Sequence, residues 1–149
     1  MIRRIDHIAF AVKDLDRAIA HAEKYGAKHL FTSLVEKDGY EVAAVRLGEC
    51  VFTFLRPVRE NSFVQGFLNK KGEGLHHIGL EVENLRAYAS ALESEEITIP
   101  VKQLEGHGRI EVLVSPKDGF GHVLQLIEWE TGADVSLEKR IARFVRYRT

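Results

Sequence analysis

The chain has 149 residues, enough for a buried core, and its 45% hydrophobic and 29% charged residues are those of an ordinary globular protein. A formal net charge of −1 excludes general electrostatic attraction to nucleic acid or an anionic membrane surface, so neither is expected as a partner. No apolar run approaches the roughly 20 residues of a membrane span, and the opening Met-Ile-Arg-Arg-Ile-Asp lacks the apolar centre of a signal peptide, so a cytoplasmic location is expected.

Residues 4–12 are rich in Ile, Val and Phe and predict a strand with His7, Ala9 and Ala11 on one face. An acidic cap at Asp14, apolar spacing at Leu15, Ala18, Ile19 and Ala22, and Gly26 as a stop predict a helix over about 14–25. His29–Val35 reads as a second strand, Asp38-Gly39 as a hairpin turn, Glu41–Leu47 as a third strand and Val51–Leu55 as a fourth, ended by Arg56-Pro57. The lone Cys50 sits in an apolar strand pattern and reads as a small core residue. The connector 58–74 carries a short helix with Phe63, Val64, Phe67 and Leu68 at helical spacing.

The order then recurs, with a strand over 75–82, a helix over about 84–93 and a strand near 97–101. Arg109–Val114 and 121–129 are the last two strands. Ser136 caps a terminal helix (about 136–147) with Leu137, Ile141, Phe144 and Val145 on one stripe. Lys139, Arg140, Arg143 and Arg146 read as its solvated basic face. The expected fold is therefore α+β: one domain of two β-α-β-β-β modules (about 3–57 and 75–130) forming a curved mixed sheet around one cavity, plus the terminal helix.

The modules are copies. A shift of 70 lays His77, Ile78, Val82 and Leu85 over His7, Ile8, Val12 and Leu15, and a shift of 72 lays Val123–Ile127 over Val51–Leu55. The matched polar positions are His7 with His77 and Thr53 with Gln125. Imidazoles at equivalent points of two strands make a natural metal pair. Thr53, Ala9 and Gly79 are expected to line the cavity.

Particular stretches carry a family resemblance: Ile5-Asp6-His7-Ile8-Ala9, Gly72-Glu73-Gly74-Leu75-His76-His77-Ile78, Gly106-His107-Gly108, Val114-Ser115-Pro116-Lys117 and Gly121-His122-Val123-Leu124-Gln125-Leu126. Over about 4–129 the chain resembles the vicinal oxygen chelate superfamily (glyoxalases, bleomycin resistance proteins, dioxygenases), and within it most closely the methylmalonyl-CoA epimerases. The resemblance implies His7 and His77, rather than His76, as metal ligands. It implies a carboxylate where this chain has Gln125, a Glu or Gln ligand where it has Thr53, and a glutamate base near Val42. A Gln carbonyl coordinates a divalent metal but takes no proton at neutral pH, so Gln125 is expected to be a ligand and not a base. Glu41 and Glu111, the latter one repeat away from Val42, are the candidate catalytic carboxylates. Glu128 has the opposite strand parity to Gln125.

The function expected is a metal-dependent isomerase or lyase of the epimerase and glyoxalase kind. It would act on a carbonyl substrate such as an acyl-CoA through a metal-stabilised enolate, with Zn, Co, Ni or Mn as the ion. The alternative is a small-molecule-binding or resistance-type protein of the same fold with little or no catalysis. A homodimer is expected from the open sheet edges.

Overall fold

The computed structural model describes residues 1–148. Among the described residues the expected α+β fold is present as eight strands and four helices. The first module comprises β1 (Ile2–Ala11), α1 (Leu15–Glu23), β2 (Lys28–Val35), β3 (Tyr40–Leu47) and β4 (Cys50–Pro57), and α2 (Phe63–Lys71) follows as the connector helix. The second comprises β5 (Gly74–Val82), α3 (Leu85–Ser94), β6 (Val101–Gln103), β7 (Arg109–Val114) and β8 (Val123–Trp129), and α4 (Leu137–Arg148) closes the described chain. Helix starts follow the expected capping chemistry. The Asp14 carboxylate accepts from the Arg17 N–H at 3.0 Å, the Asn84 side chain from Ala87 N–H at 3.4 Å, and the Ser136 hydroxyl from Lys139 N–H at 3.3 Å.

The chain divides into two compact units, one of residues 7–76 with 144–148, the other of residues 1–6 with 77–143. In the first, the strands are ordered β2-β3-β4-β1, with β1 parallel to β4 and the other pairs antiparallel. In the second, the order β5-β8-β7-β6 repeats the pattern, β5 running parallel to β8. The sequence repeat holds at the level of register. Ala9 faces Thr53 across β1–β4, and Gly79 faces Gln125 across β5–β8.

Each unit has its own core on the helix-bearing face of its strands. Leu15 and Ala22 of α1 pack on Ala43, Val45 and Phe54, and Leu85 and Ala89 of α3 pack on Val82, Val112, Val114 and Leu126. Both helices present one apolar stripe to a sheet, the condition for a packed layer.

Four local expectations are corrected. The strand expected near 97–101 is only Val101–Gln103. Pro100 lacks a ladder donor, and Ile97 and Ile99 instead pack on the α3 core while Thr98 N–H donates to Asp118 at 2.9 Å. Cys50 is exposed, because it opens β4 at the turn of the β3–β4 hairpin, opposite Leu47. The β2–β3 connection spans residues 36–39 rather than a two-residue turn, with Gly39 at φ +69° supplying the left-handed turn residue. Arg143, expected on a solvated face, is buried at 5% exposure.

Candidate functional site

In the unit containing His7, strand alternation sorts the side chains into two sets. Phe10, Ala43, Val45, Phe52 and Phe54 serve the α1 core. His7, Ala9, Val42, Ala44, Thr53 and Leu55 have the other parity, and every one of them is buried. This second face is covered from within the unit. Tyr40 meets Phe63 of α2 at 5.2 Å between ring centroids, and Phe144 of α4 stands edge-on to His7 at 5.3 Å and beside Phe31 at 6.0 Å. His7 is only 4% exposed and Thr53 3%. Ala9 and Thr53, expected to line a cavity, are buried on this face.

Glu41, one of the two candidate bases, has the wrong parity. It pairs across the strands with Arg56, on the α1 side, and its carboxylate forms an ion pair with the Arg56 guanidinium. Both line a polar cleft of about 500 Å³ with Lys13, Asp14, Leu15, Asp16 and Thr32. A one-residue offset in a strand turns a side chain to the opposite face. The structure therefore does not bring Glu41 to the face that carries His7 and Thr53.

In the other unit the same sorting holds. Leu80, Val82, Val112, Leu124 and Leu126 serve the α3 core. His77, Gly79, Glu81, Gln125, Ile127, Trp129, Arg109 and Glu111 share the opposite parity. Glu111 and Gln125 are diagonal neighbours on adjacent strands, and the Gln125 Nε2 donates to Glu111 Oε2 at 2.9 Å. Arg109 Nη2 pairs with the same carboxylate at 2.8 Å. The Gln125 Oε1 is buried without a hydrogen-bond partner. His77 is half-buried and Gly79 buried.

His76 and His77 alternate, as neighbours in a strand must. The His76 ring packs against Phe63 at 5.3 Å and Phe67 at 4.9 Å, an aromatic role and not a ligand's. Glu128, on the α3 side as its parity requires, receives the Leu85 N–H at 2.7 Å and so caps α3.

A buried ionic group went unforeseen in the sequence. Glu81, 1% exposed, accepts from Arg4 at 2.5 Å and from Arg143 at 2.6 Å. Arg143 also donates to Gly132 O at 2.7 Å and lies 4.9 Å over the Trp129 ring. Trp129 Nε1 donates to Asp6 at 2.7 Å. A glutamate set between the apolar residues Leu80 and Val82 was the available signal for Glu81. For Arg143, next to the stripe residue Phe144, the periodicity carried none.

Among the described residues no three His, Cys, Asp or Glu side chains form a ligand cluster. The expected set includes only two such residues, His7 and His77, and the donor chemistry of its third member fits a cation. The orphaned Gln125 Oε1 offers a buried carbonyl lone pair, the kind of oxygen that coordinates divalent metals.

Residues 6–112 match the family model of the glyoxalase/bleomycin resistance protein/dioxygenase superfamily. The chain is 32% identical over 127 residues to human mitochondrial methylmalonyl-CoA epimerase, covering 83% of this chain and 72% of that protein. It is 30% identical to the ethylmalonyl-CoA/methylmalonyl-CoA epimerase of Cereibacter sphaeroides, covering 85% of this chain and 98% of that one. Among solved structures it resembles a variant of Streptomyces coelicolor methylmalonyl-CoA epimerase bound to 2-nitronate-propionyl-CoA. The TM-score is 0.78 at 27% identity, over 87% of this chain and 99% of that one. Sequence repeat, strand register and these likenesses agree: the chain belongs to the glyoxalase/bleomycin resistance protein/dioxygenase superfamily.

Proposed function

We propose that the protein is an acyl-CoA epimerase acting on the α-carbon of a 2-substituted malonyl thioester. The observation that carries this reading is the placement of Glu111. Across β7–β8 it lies opposite Ile127, as Val42 lies opposite Leu55 across β3–β4, so Glu111 is the repeat equivalent of Val42. The resemblance to the epimerases puts a base near Val42. This chain has a buried valine there and a carboxylate at the equivalent station of the other module.

Of the glutamates on the face of β5, β7 and β8 that carries Gln125, Glu81 is buried with its two oxygens engaged by guanidinium groups. The Glu111 side chain retains 18% exposure and is the one a substrate can reach. Its carboxylate takes the proton from C2, and the C–H electron pair moves into the thioester as an enolate. A proton from solvent water adds to the opposite face of C2 to give the epimer, and Glu111 releases the proton it took to water. Arg109, paired with Glu111 at 2.8 Å, holds its carboxylate in place. Gln125, having no basic atom at neutral pH, takes no part in the proton transfer.

His7, His77 and Gln125, at matched positions of the repeat, are the proposed ligands of a divalent ion, Zn, Co, Ni or Mn. Such an ion supplies Lewis-acid stabilisation of the charge that develops on the thioester oxygen. The proposed assembly is a homodimer. Its support is the exposed strand β6 at the end of the strand order, whose edge invites pairing, and sedimentation of a monomer at micromolar concentration would contradict it.

The second reading, a binding protein without turnover, has one observation in its favour: His7 is 4% exposed beneath Phe144. The deciding experiment follows the C2–H resonance of methylmalonyl-CoA in D2O with metal-loaded protein, together with the configuration at C2. Exchange above the buffer rate with loss of optical purity is the expected result. Tight binding of the thioester with no exchange would establish the binding-protein reading instead.

A further inference from the structure

We propose that Glu111 is the positioning residue of the Gln125 amide, so that the carboxylate which takes the α-proton also sets Gln125 as a carbonyl ligand; this rests on the metal-binding reading above. The two ends of a glutamine amide are nearly equal in size, so its orientation is decided by partners. An ionised carboxylate accepts hydrogen bonds and donates none. Gln125 must therefore turn Nε2 toward Glu111, where the contact is 2.9 Å, since the reverse orientation would set oxygen against oxygen. Oε1 is the atom turned away, and it is buried with no hydrogen-bond partner in a residue 6% exposed. A buried carbonyl without a partner costs free energy until something ligates it.

Glu111 is held in its turn. Arg109, with a side chain 2% exposed, pairs with it at 2.8 Å, and the Arg109 guanidinium lies 5.4 Å over the face of Trp129. The chain of contacts Trp129, Arg109, Glu111, Gln125 runs wholly within one unit. It converts a side chain that would otherwise flip into a preset oxygen donor. In this way an amide can stand where the resemblance implies a carboxylate.

The test is titration of Co(II) into four proteins, read by calorimetry and by visible absorption of the ion: wild type, Glu111→Gln, Gln125→Glu and the double variant. Glutamine at 111 both donates and accepts, so the lock on Gln125 is lost. Glu111→Gln is expected to weaken Co(II) binding by about 10- to 100-fold, the range for loss of an outer-shell partner. In the Gln125→Glu background the same substitution should leave affinity unchanged or raise it. A carboxylate presents oxygen whichever way it turns, and removing its like-charged neighbour relieves repulsion.

Arg109→Met should follow Glu111→Gln in the Gln125 background, and it carries the same comparison if Glu111→Gln does not fold. A merely structural Glu111 would give equal weakening in both backgrounds, and that result overturns the proposal. Co(II) binding by the wild type that is indifferent to Glu111→Gln overturns it alone. A wild type that binds no Co(II) overturns the metal reading and this inference together.

Discussion

Val42 and Glu111 hold the same station in the two modules, one opposite Leu55 and the other opposite Ile127. Leu55 and Ile127 are themselves separated by the repeat shift of 72, so the correspondence is one of backbone register and not of side-chain similarity. Relative to the base that the resemblance implies near Val42, the proposed base stands in the other module. Glu111→Ala should therefore lower α-proton exchange on methylmalonyl-CoA by about 10²- to 10⁴-fold, the usual contribution of a positioned base. Glu41→Gln, on the α1 face, should leave the rate within a few-fold of wild type. Equal losses from the two variants would refute the assignment.

Metal binding should separate adjacent histidines. His7→Ala and His77→Ala are each expected to abolish stoichiometric binding of Zn or Co. His76→Ala should retain it and should instead lower stability by about 1 kcal/mol, the order of an aromatic pair, through lost contacts with Phe63 and Phe67. Parallel metal analysis and thermal melts of the three variants measure both effects. Loss of metal from the His76 variant alone would invert the ligand assignment.

Arg143→Ala leaves Glu81 buried with one of its two cationic partners gone. Removing one member of a buried ion pair costs about 3–5 kcal/mol, far more than the loss of an exposed pair. The wild-type group includes a 2.6 Å contact between side chains that are 5% and 1% exposed. Arg3→Ala, which breaks the exposed pair with Glu83, is expected to cost less than about 1 kcal/mol. Urea unfolding of both variants would show the contrast, and a difference below 1 kcal/mol would mean that α4 does not depend on Glu81.

Asp118 gives a pH signature. The Thr98 N–H donates to its carboxylate at 2.9 Å, and this bond holds the Asp118 pKa below the ordinary aspartate value of 3.8. A depressed folded-state pKa stabilises the fold above the unfolded value, and that contribution disappears as pH falls through the folded value. Asp118→Asn should therefore lower the melting temperature at pH 7, and the gap from wild type should narrow as the pH is lowered below 3.8. A gap independent of pH would show that the hydrogen bond does not discriminate between the protonation states.

What the sequence determined by itself is what depends on short-range pattern. Period-two alternation, caps at Asp14 and Ser136, and a repeat shift of about 70 residues were enough for the two β-α-β-β-β modules. They also sufficed for the separation of Gln125 from Glu128 by strand parity, because neighbouring side chains on one strand must point to opposite faces. Parity also decided against Glu41, but only once the β3–β4 register was known, since a strand read in isolation does not say which of its faces the helix covers. The partners of charged groups lie at a further remove. Glu81 meets Arg4 and Arg143 from sequence distances of 77 and 62 residues, and the stripe on α4 gave no sign that Arg143 would be buried beside it. Likewise the orientation of the Gln125 amide follows from a carboxylate on the neighbouring strand. Such pairings are set by packing between elements, and no local periodicity encodes them.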